Sequence, residues 1–423
     1  MYDFPRYDAH DPKRTALIVT PDRPGCFHRF FDTSPFSPSG RYVALTQAPF
    51  EDRVNAPGDE ATIVVVDLES GETHEAATTR GWEFQMGANL QWGPDDETLL
   101  FDDVDASEWR PHGVRLNWRS GESTRFARGI YHASPDGRLA AVTNPAAMRR
   151  TQKGYGVLVP DELAPRNIGL SDDDGLFIVD TETDEIDLVA PIRKLVLDGV
   201  PKEEREDYEA MENYAFHCKW NAQGDRLMVS MRRKLVDHSE PFGVRDHFNM
   251  WFDIFTCRPD GSDVHRAVPW SEWKKGGHHT TFTPDGAHLS MNVAYHGRGT
   301  GMVLMQVGYD GSDYRPITEA VPGSGHPTVH PNGRNILTDT YVNELPHLRP
   351  SSVPDDHNPI RWLDVEQGSE EHLLWIPTAT PHQQTDSVLR VDPHPAWSRD
   401  YRMAIVNTFL GGTRRPLVVI MDE

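Results

Sequence analysis

The chain has 423 residues, enough for a substantial core, and length alone leaves open two or three average domains or one large repeat architecture. Aspartate and glutamate (65) outnumber lysine and arginine (42), a formal charge of -23 that argues by repulsion against a general nucleic-acid or anionic-membrane partner. Any anionic ligand must therefore find a local basic pocket. A hydrophobic content of 37% with 11 Trp, 17 Phe and 12 Tyr excludes a disordered acidic chain, and no apolar run approaches the roughly 20 residues that span a bilayer.

The N-terminal stretch "MYDFPRYDAHDPKR" lacks the basic start and apolar core of a secretory signal, so the expectation is a cytoplasmic protein, or a periplasmic or secreted one if a signal has been removed. The first strand is "TALIVT", residues 15 to 20. A recurrent unit follows, in which a short strand leads through a turn of the Pro-Asp-Gly kind into a second apolar strand. It appears as "FDTSPFSPSGRYVAL", "ANLQWGPDDETLLF", "IYHASPDGRLAAV", "HCKWNAQGDRLMV", "HTTFTPDGAHLSM", "HPTVHPNGRNILT" and "HPAWSRDYRMAIV". Between these units lie alternating segments with acidic Gly turns, among them "ATIVVVDLESGETHEA" and "FDIFTCRPDGSDVHRAV", which read as outer hairpins.

Seven units of about four short strands predict an all-β fold, a seven-bladed β-propeller in a single domain, with six or eight blades as the alternative count. The last strand, "RPLVVIM" at residues 415 to 421, would pair with the first to close the ring and remove the exposed edge. Residues 143 to 216 separate the third and fourth turns by more than one blade requires. Within them "RKLVLDGVPKEEREDYEAMENYAF" carries helical charge spacing, so the range is expected to be a partly helical insertion, either a wall of the site or a plain surface excursion. Cys26, Cys218 and Cys257 form no CxxC pair and read as buried thiols.

The innermost strands of a propeller surround one axis, so equivalent positions of successive blades lie at one height around a channel. The position five before the turn holds Thr33, Asn89, Ile130, His217, His279, His326 and His394. Four adjacent blades thus offer imidazoles to one pore. Convergent neutral nitrogens are a metal-site expectation, with His279, His326 and His394 as the ligands, His278 as second choice, and His217 as a fourth ligand or a catalytic group. Gln383, Gln384 and Arg390 precede His394 closely enough to border the same opening. The plainer alternative is that these histidines cap strand ends or hydrogen-bond across the channel.

"RFFDTSPFSPSGRY", "GANLQWGPDDETLLF", "YHASPDGR", "GHHTTFTPDG", "GHPTVHPNGRNILTD" and "RVDPHPAWSRD" resemble the seven-bladed propeller polysaccharide lyases, the group of oligogalacturonate and ulvan lyases, over nearly the whole chain. The resemblance implies β-elimination at a uronic acid, giving a 4,5-unsaturated end. That chemistry must neutralise the carboxylate, remove the C5 proton and help O4 depart. From the ulvan-lyase side it implies the pair His112 and His132, twenty apart. The later tyrosine–arginine pair maps onto His217 with Arg233 or Phe216 with Arg232, so the tyrosine position is not preserved and Tyr214 or His217 would substitute. From the oligogalacturonate-lyase side it implies a divalent ion (Mn, Ca or Zn) on His279, His326 and His394, with Gln383 or Gln384 as the amide ligand.

The expected partner is an anionic, uronate-containing oligo- or polysaccharide, and "AMRRTQKGYG" offers Arg149, Arg150 and Lys153 to carboxylates, with Arg390 as a further cation. A basic run is otherwise solvated surface. Trp82, Trp92, Trp109, Trp118 and Trp220 are available to stack on sugars, although propeller tryptophans mostly fill space between blades. No Gly-rich phosphate loop, GxSxG elbow or HExxH helix is present. The competing readings are a non-catalytic TolB-like propeller that binds a glycan or peptide, and a glycoside hydrolase, which would need two carboxylates across one pocket.

Overall fold

The computed structural model describes residues 2–236, 250–341 and 344–422. Among them the strands form seven four-stranded antiparallel sheets. Six take their strands in simple chain order. The seventh combines Ala396–Trp397, Met403–Phe409 and Arg414–Ile420 with Ala16–Ile18 from the other end of the chain. Ala16 pairs Val419 and Ile18 pairs Leu417, so the two ends of the chain share one blade and close the ring. This is the seven-bladed propeller that the turn repeat predicts.

Three of the inner hairpins are made by the same local chemistry. In the third blade the Asp136 carboxylate accepts from the Ser134 hydroxyl (2.5 Å) and from the amide of Arg138 (3.1 Å), while Gly137 supplies a φ of 71°. Asp285 and Asp400 repeat the pattern on Thr283 and Ser398. In the last blade Tyr401 takes the glycine's place at φ 61°. The apolar faces of the strands then pack between blades. Trp82 and Trp92 sit in such a cluster, fully or nearly fully buried, which is the space-filling role rather than sugar stacking.

The range 143 to 216 is not one insertion. Gly175–Asp180 and Ile186–Pro191 inside it are the outer hairpin of the third blade. The excess lies on either side: residues 143 to 174 loop out between the second and third strands, and the helices Ile192–Gly199 and Arg205–Glu209 lead to Met211–Trp220, the first strand of the fourth blade. The three cysteines are buried and free. No helix among the described residues is long and apolar enough to cross a membrane.

Candidate functional site

The four histidines do meet at the axis, but around a side chain rather than an empty pore. The Phe30 ring lies 5.4 Å from that of His217, 5.9 Å from His279, 5.7 Å from His326 and 4.7 Å from His394. Phe30 comes from "HRFF", which precedes the first blade's turn unit and has no counterpart in the repeat. Beside it the Lys219 ammonium sits 5.3 Å from Phe30 and 5.0 Å from Phe31, and pairs with Asp32 at 2.7 Å, both side chains being almost wholly buried. Phe30, Phe31 and Asp32 thus plug the channel.

The local backbone aims the imidazoles inward. His279 and His394 adopt φ 63° and 47°, and Asn89, at the same register of the second blade, adopts 51°. In the sixth blade the left-handed residue is Gly325, where an added Cβ would meet the Asp339 carbonyl oxygen at 2.2 Å, so only glycine fits. The next residue, His326, is fully buried and donates its Nδ1–H to the Asp339 carboxylate at 3.0 Å, leaving Nε2 a lone pair without a hydrogen-bond partner. Nε2 of His394 is likewise buried and unpartnered, and lies 3.9 Å from the Asp392 carboxylate.

One atom from each of His326, Asp392 and His394 lies within 4.8 Å of the others. Two orphaned imidazole nitrogens and a buried carboxylate, with a second carboxylate fixing the tautomer of one imidazole, form a donor set that fits a divalent cation. Nitrogen donors suit manganese or zinc better than calcium, which takes oxygen ligands. His279 adjoins this group but is not one of the three whose donor atoms lie mutually within 4.8 Å. Its ring stacks on His326 at 3.8 Å and 31°, its Nδ1–H donates to the Gly325 carbonyl at 2.6 Å, and its Nε2 faces the Tyr341 hydroxyl at 3.2 Å. Gln384 is exposed and the Gln383 side-chain oxygen accepts from the Thr380 amide at 3.3 Å, so neither amide joins the cluster. Asp392 stands where the amide was expected.

Two cavities open at opposite ends of the channel. The innermost strand of the fifth blade shows the division, for residues 277 to 280 line one cavity and residues 281 to 284 the other. The first, about 610 Å³, is bordered by His217, His278, His279 and Tyr341. Among the described residues six cations line it, Lys219, Arg232, Lys274, Lys275, Arg298 and Arg390, with one carboxylate, Glu344. In a chain of charge -23 this is the local basic pocket that composition requires. Burial holds His217 and His279 well below the ordinary imidazole range, so both are neutral near neutral pH. Nδ1 of His217 is hydrogen-bonded to the Tyr131 hydroxyl. Arg232 lies 3.5 Å over Phe216 and donates to Gln152 at 2.6 Å, and Arg390 pairs with Asp392 at 2.9 Å.

The remaining expected site residues lie elsewhere. His132 lines the opposite cavity, where the Trp220 amide donates to its Nδ1 at 3.1 Å. His112 belongs to Arg110–Asn117, the third strand of its blade, far from the axis side, with its Nε2 3.7 Å from Asp103. The two histidines twenty apart are therefore not brought together, because a strand's rank in its blade fixes its distance from the axis. Arg233 and Arg232 point to opposite faces of one strand, and Arg233 is consumed by Asp253 at 3.0 Å. Tyr214 is buried, donating to Glu212 at 2.5 Å. Arg150 clamps the carbonyls of Ala164 and Pro165, and Arg149 pairs with Asp161 at 3.3 Å. Neither borders the cationic cavity. Gln152 and Tyr155, from the same excursion, do.

The fold and the site together define a seven-bladed propeller with an imidazole–carboxylate cluster at its axis and a cationic cavity at one end. Comparison of structures then gives the particular likeness. An oligogalacturonate lyase in complex with manganese aligns over 99% of this chain and 96% of its own, at 14% identity and a TM-score of 0.62. The oligogalacturonate lyase of Vibrio parahaemolyticus aligns over 100% and 97%, at 12% identity and a TM-score of 0.64. The tricorn protease also aligns, at 10% identity and a TM-score of 0.51, covering 34% of that larger chain. At these identities the likeness establishes the fold. No protein-family model matches the chain, and no curated protein matches it by sequence.

Proposed function

We propose that this chain is a lyase that cleaves a uronic-acid-containing oligosaccharide by β-elimination. The observation that carries the reading is the cavity itself: six cations among the described residues, with neutral imidazoles, converge at one end of the axis in a strongly acidic protein. The full-length likeness to oligogalacturonate lyase structures supports it.

Arg232 and Lys219 bind the uronate carboxylate, withdrawing charge from it and acidifying the C5 proton. His217 is the base. With its Nδ1–H given to Tyr131, its Nε2 lone pair takes the C5 proton, the C5–H electrons form the C4–C5 double bond, and the C4–O4 bond breaks. The leaving O4 takes a proton from Tyr341, whose hydroxyl burial keeps protonated. A divalent cation on His326, Asp392 and His394 would supply further positive charge at the same end of the channel. Arg390 ties that cluster to the cavity, since it lines the cavity and holds Asp392.

Incubation with oligogalacturonate, with ulvan and with gum arabic glucuronans, followed by ultraviolet absorbance of the unsaturated product, tests the reading. A rise with one of them is expected. Tight binding of a glycan with no absorbance change on any substrate would favour the non-catalytic binder.

A further inference from the structure

The second cavity, at the other end of the channel, takes no part in the proposed elimination. At about 410 Å³ it has the size that takes a small molecule. Its formal charges are already committed. Lys219 and Asp32 pair with each other at 2.7 Å, and Arg399 donates to the Gly93 carbonyl at 2.9 Å within the field of the Asp96 carboxylate. Burial holds His132 down to about 4, so its ring is neutral near neutral pH. An anionic sugar, which the opposite cavity suits, has no such reception here.

What this cavity offers is uncharged hydrogen-bonding groups beside aromatic rings. The Trp220 amide donates to Nδ1 of His132 at 3.1 Å, which places the proton of the neutral imidazole on Nε2. The acceptor facing Nε2 is the Asp32 carbonyl at 3.4 Å, longer than an ordinary hydrogen bond. Thr281 and Tyr401 border the cavity too, and their hydroxyls have no hydrogen-bond partner among the described residues.

Tyr401 is the more telling of the two. It stands at φ 61° in its turn, where the third blade's turn places Gly137 at 71°. A side chain in the left-handed region strains the backbone as glycine does not, and strain of this kind concentrates at ligand sites. The phenol ring is braced by Trp397 at 5.6 Å and by His330 at 5.4 Å, and half-buried Phe282 adds a second aromatic surface to the same cavity.

We propose that this cavity binds an uncharged pyranose, with the rings of Tyr401 and Phe282 against its apolar C–H face and with Tyr401, Thr281 and His132 hydrogen-bonded to its hydroxyls. Such a sugar joins one apolar face to hydroxyls that both donate and accept, which is the mixture of this lining. The site is independent of the lyase reading and stands or falls without it.

The test is titration of tryptophan fluorescence, with saturation-transfer NMR, using methyl galactoside, methyl glucoside and methyl mannoside on the wild type, T281V, Y401F and the double variant. Each substitution removes one hydroxyl and keeps the shape, so melting temperatures are expected to stay near that of the wild type. At least one glycoside is expected to bind the wild type with a dissociation constant on the order of a millimolar, and each single variant about 3–10-fold more weakly. Galacturonate is expected not to displace it. Binding of none of the three glycosides overturns the proposal. Equal affinity in wild type and double variant overturns it as well, by placing the sugar elsewhere, and so does displacement of the glycoside by galacturonate, which would show that the site does not discriminate by charge.

Discussion

The two ends of the channel are lined by consecutive residues of the same strands and yet differ in chemistry. Among the described residues, one cavity gathers six cations and three of the cluster's neighbouring imidazoles, while the other, about 410 Å³, is bordered by turn hydroxyls, buried tryptophans and one imidazole, His132, whose Nδ1 accepts from the Trp220 amide. Among the described residues only Lys219 lines both. The difference arises from what lies beyond the strands. At the cationic end the blades are joined by long crossings and excursions that bring in Gln152, Tyr155, Lys274 and Arg390, whereas the other end is closed by tight Pro-Asp-Gly turns whose side chains are spent on their own hydrogen bonds. The repeat thus builds the scaffold, and the departures from it build the site.

The largest expected effect separates the two ends directly. His217→Asn is expected to lower the turnover number by about 10²–10⁴-fold with oligouronate binding retained, while His132→Asn leaves it close to wild type. Steady-state kinetics on both variants decide it, and equal losses would erase the distinction between the cavities. The plug that divides them comes next. Lys219→Ala leaves Asp32 buried and uncompensated and is expected to destabilise by about 3–5 kcal/mol, whereas Lys219→Met with Asp32→Leu recovers most of it, as read by denaturant titration.

The imidazole–carboxylate cluster gives a smaller effect. Asp339→Asn removes the carboxylate that orients His326 and is expected to weaken Mn(II) binding by about 10–100-fold in calorimetric titration, without altering the far-ultraviolet spectrum. The smallest effect concerns two buried carboxyl groups that line neither cavity, Glu83 and Asp102. Burial raises Glu83 to about 8 and Asp102 to about 7, so the folded protein holds these protons to higher pH than the unfolded chain does. Their contribution to stability is complete below the ordinary carboxylate range and is lost as pH rises through about 7 to 8. Glu83→Gln is expected to flatten that decline in melting temperature between pH 5 and pH 9, and an unchanged slope would assign the decline elsewhere.

The propeller was legible because its signal repeats: the turn chemistry of Asp136 recurs at Asp285 and Asp400, and closure follows from an unpaired first strand and a matching last one. The histidine ring was legible for the same reason, since equal register means equal height. What repetition does not carry was missed. Phe30 lies outside the register and fills the ring's centre. Asp392 is only two residues before His394, and a preference for an amide ligand hid it. Spacing along the chain placed His112 with His132, but one is on a third strand and the other on a first. The arginines of "AMRR" carried charge in the sequence and are spent in the fold on carbonyls and on Asp161, while Lys274 and Arg298 come from segments outside the turn repeat that the fold brings to the cavity.

The account stands on the cationic end of the axis being where an acidic sugar is held. A crystal structure of the His217→Asn protein with an oligogalacturonate tests this most directly. The account predicts the sugar in the cavity of Arg232 and Arg390, a carboxylate against Arg232 and C5 facing residue 217. Density for the sugar in the opposite cavity beside His132, or on the outer faces of the blades, would contradict it.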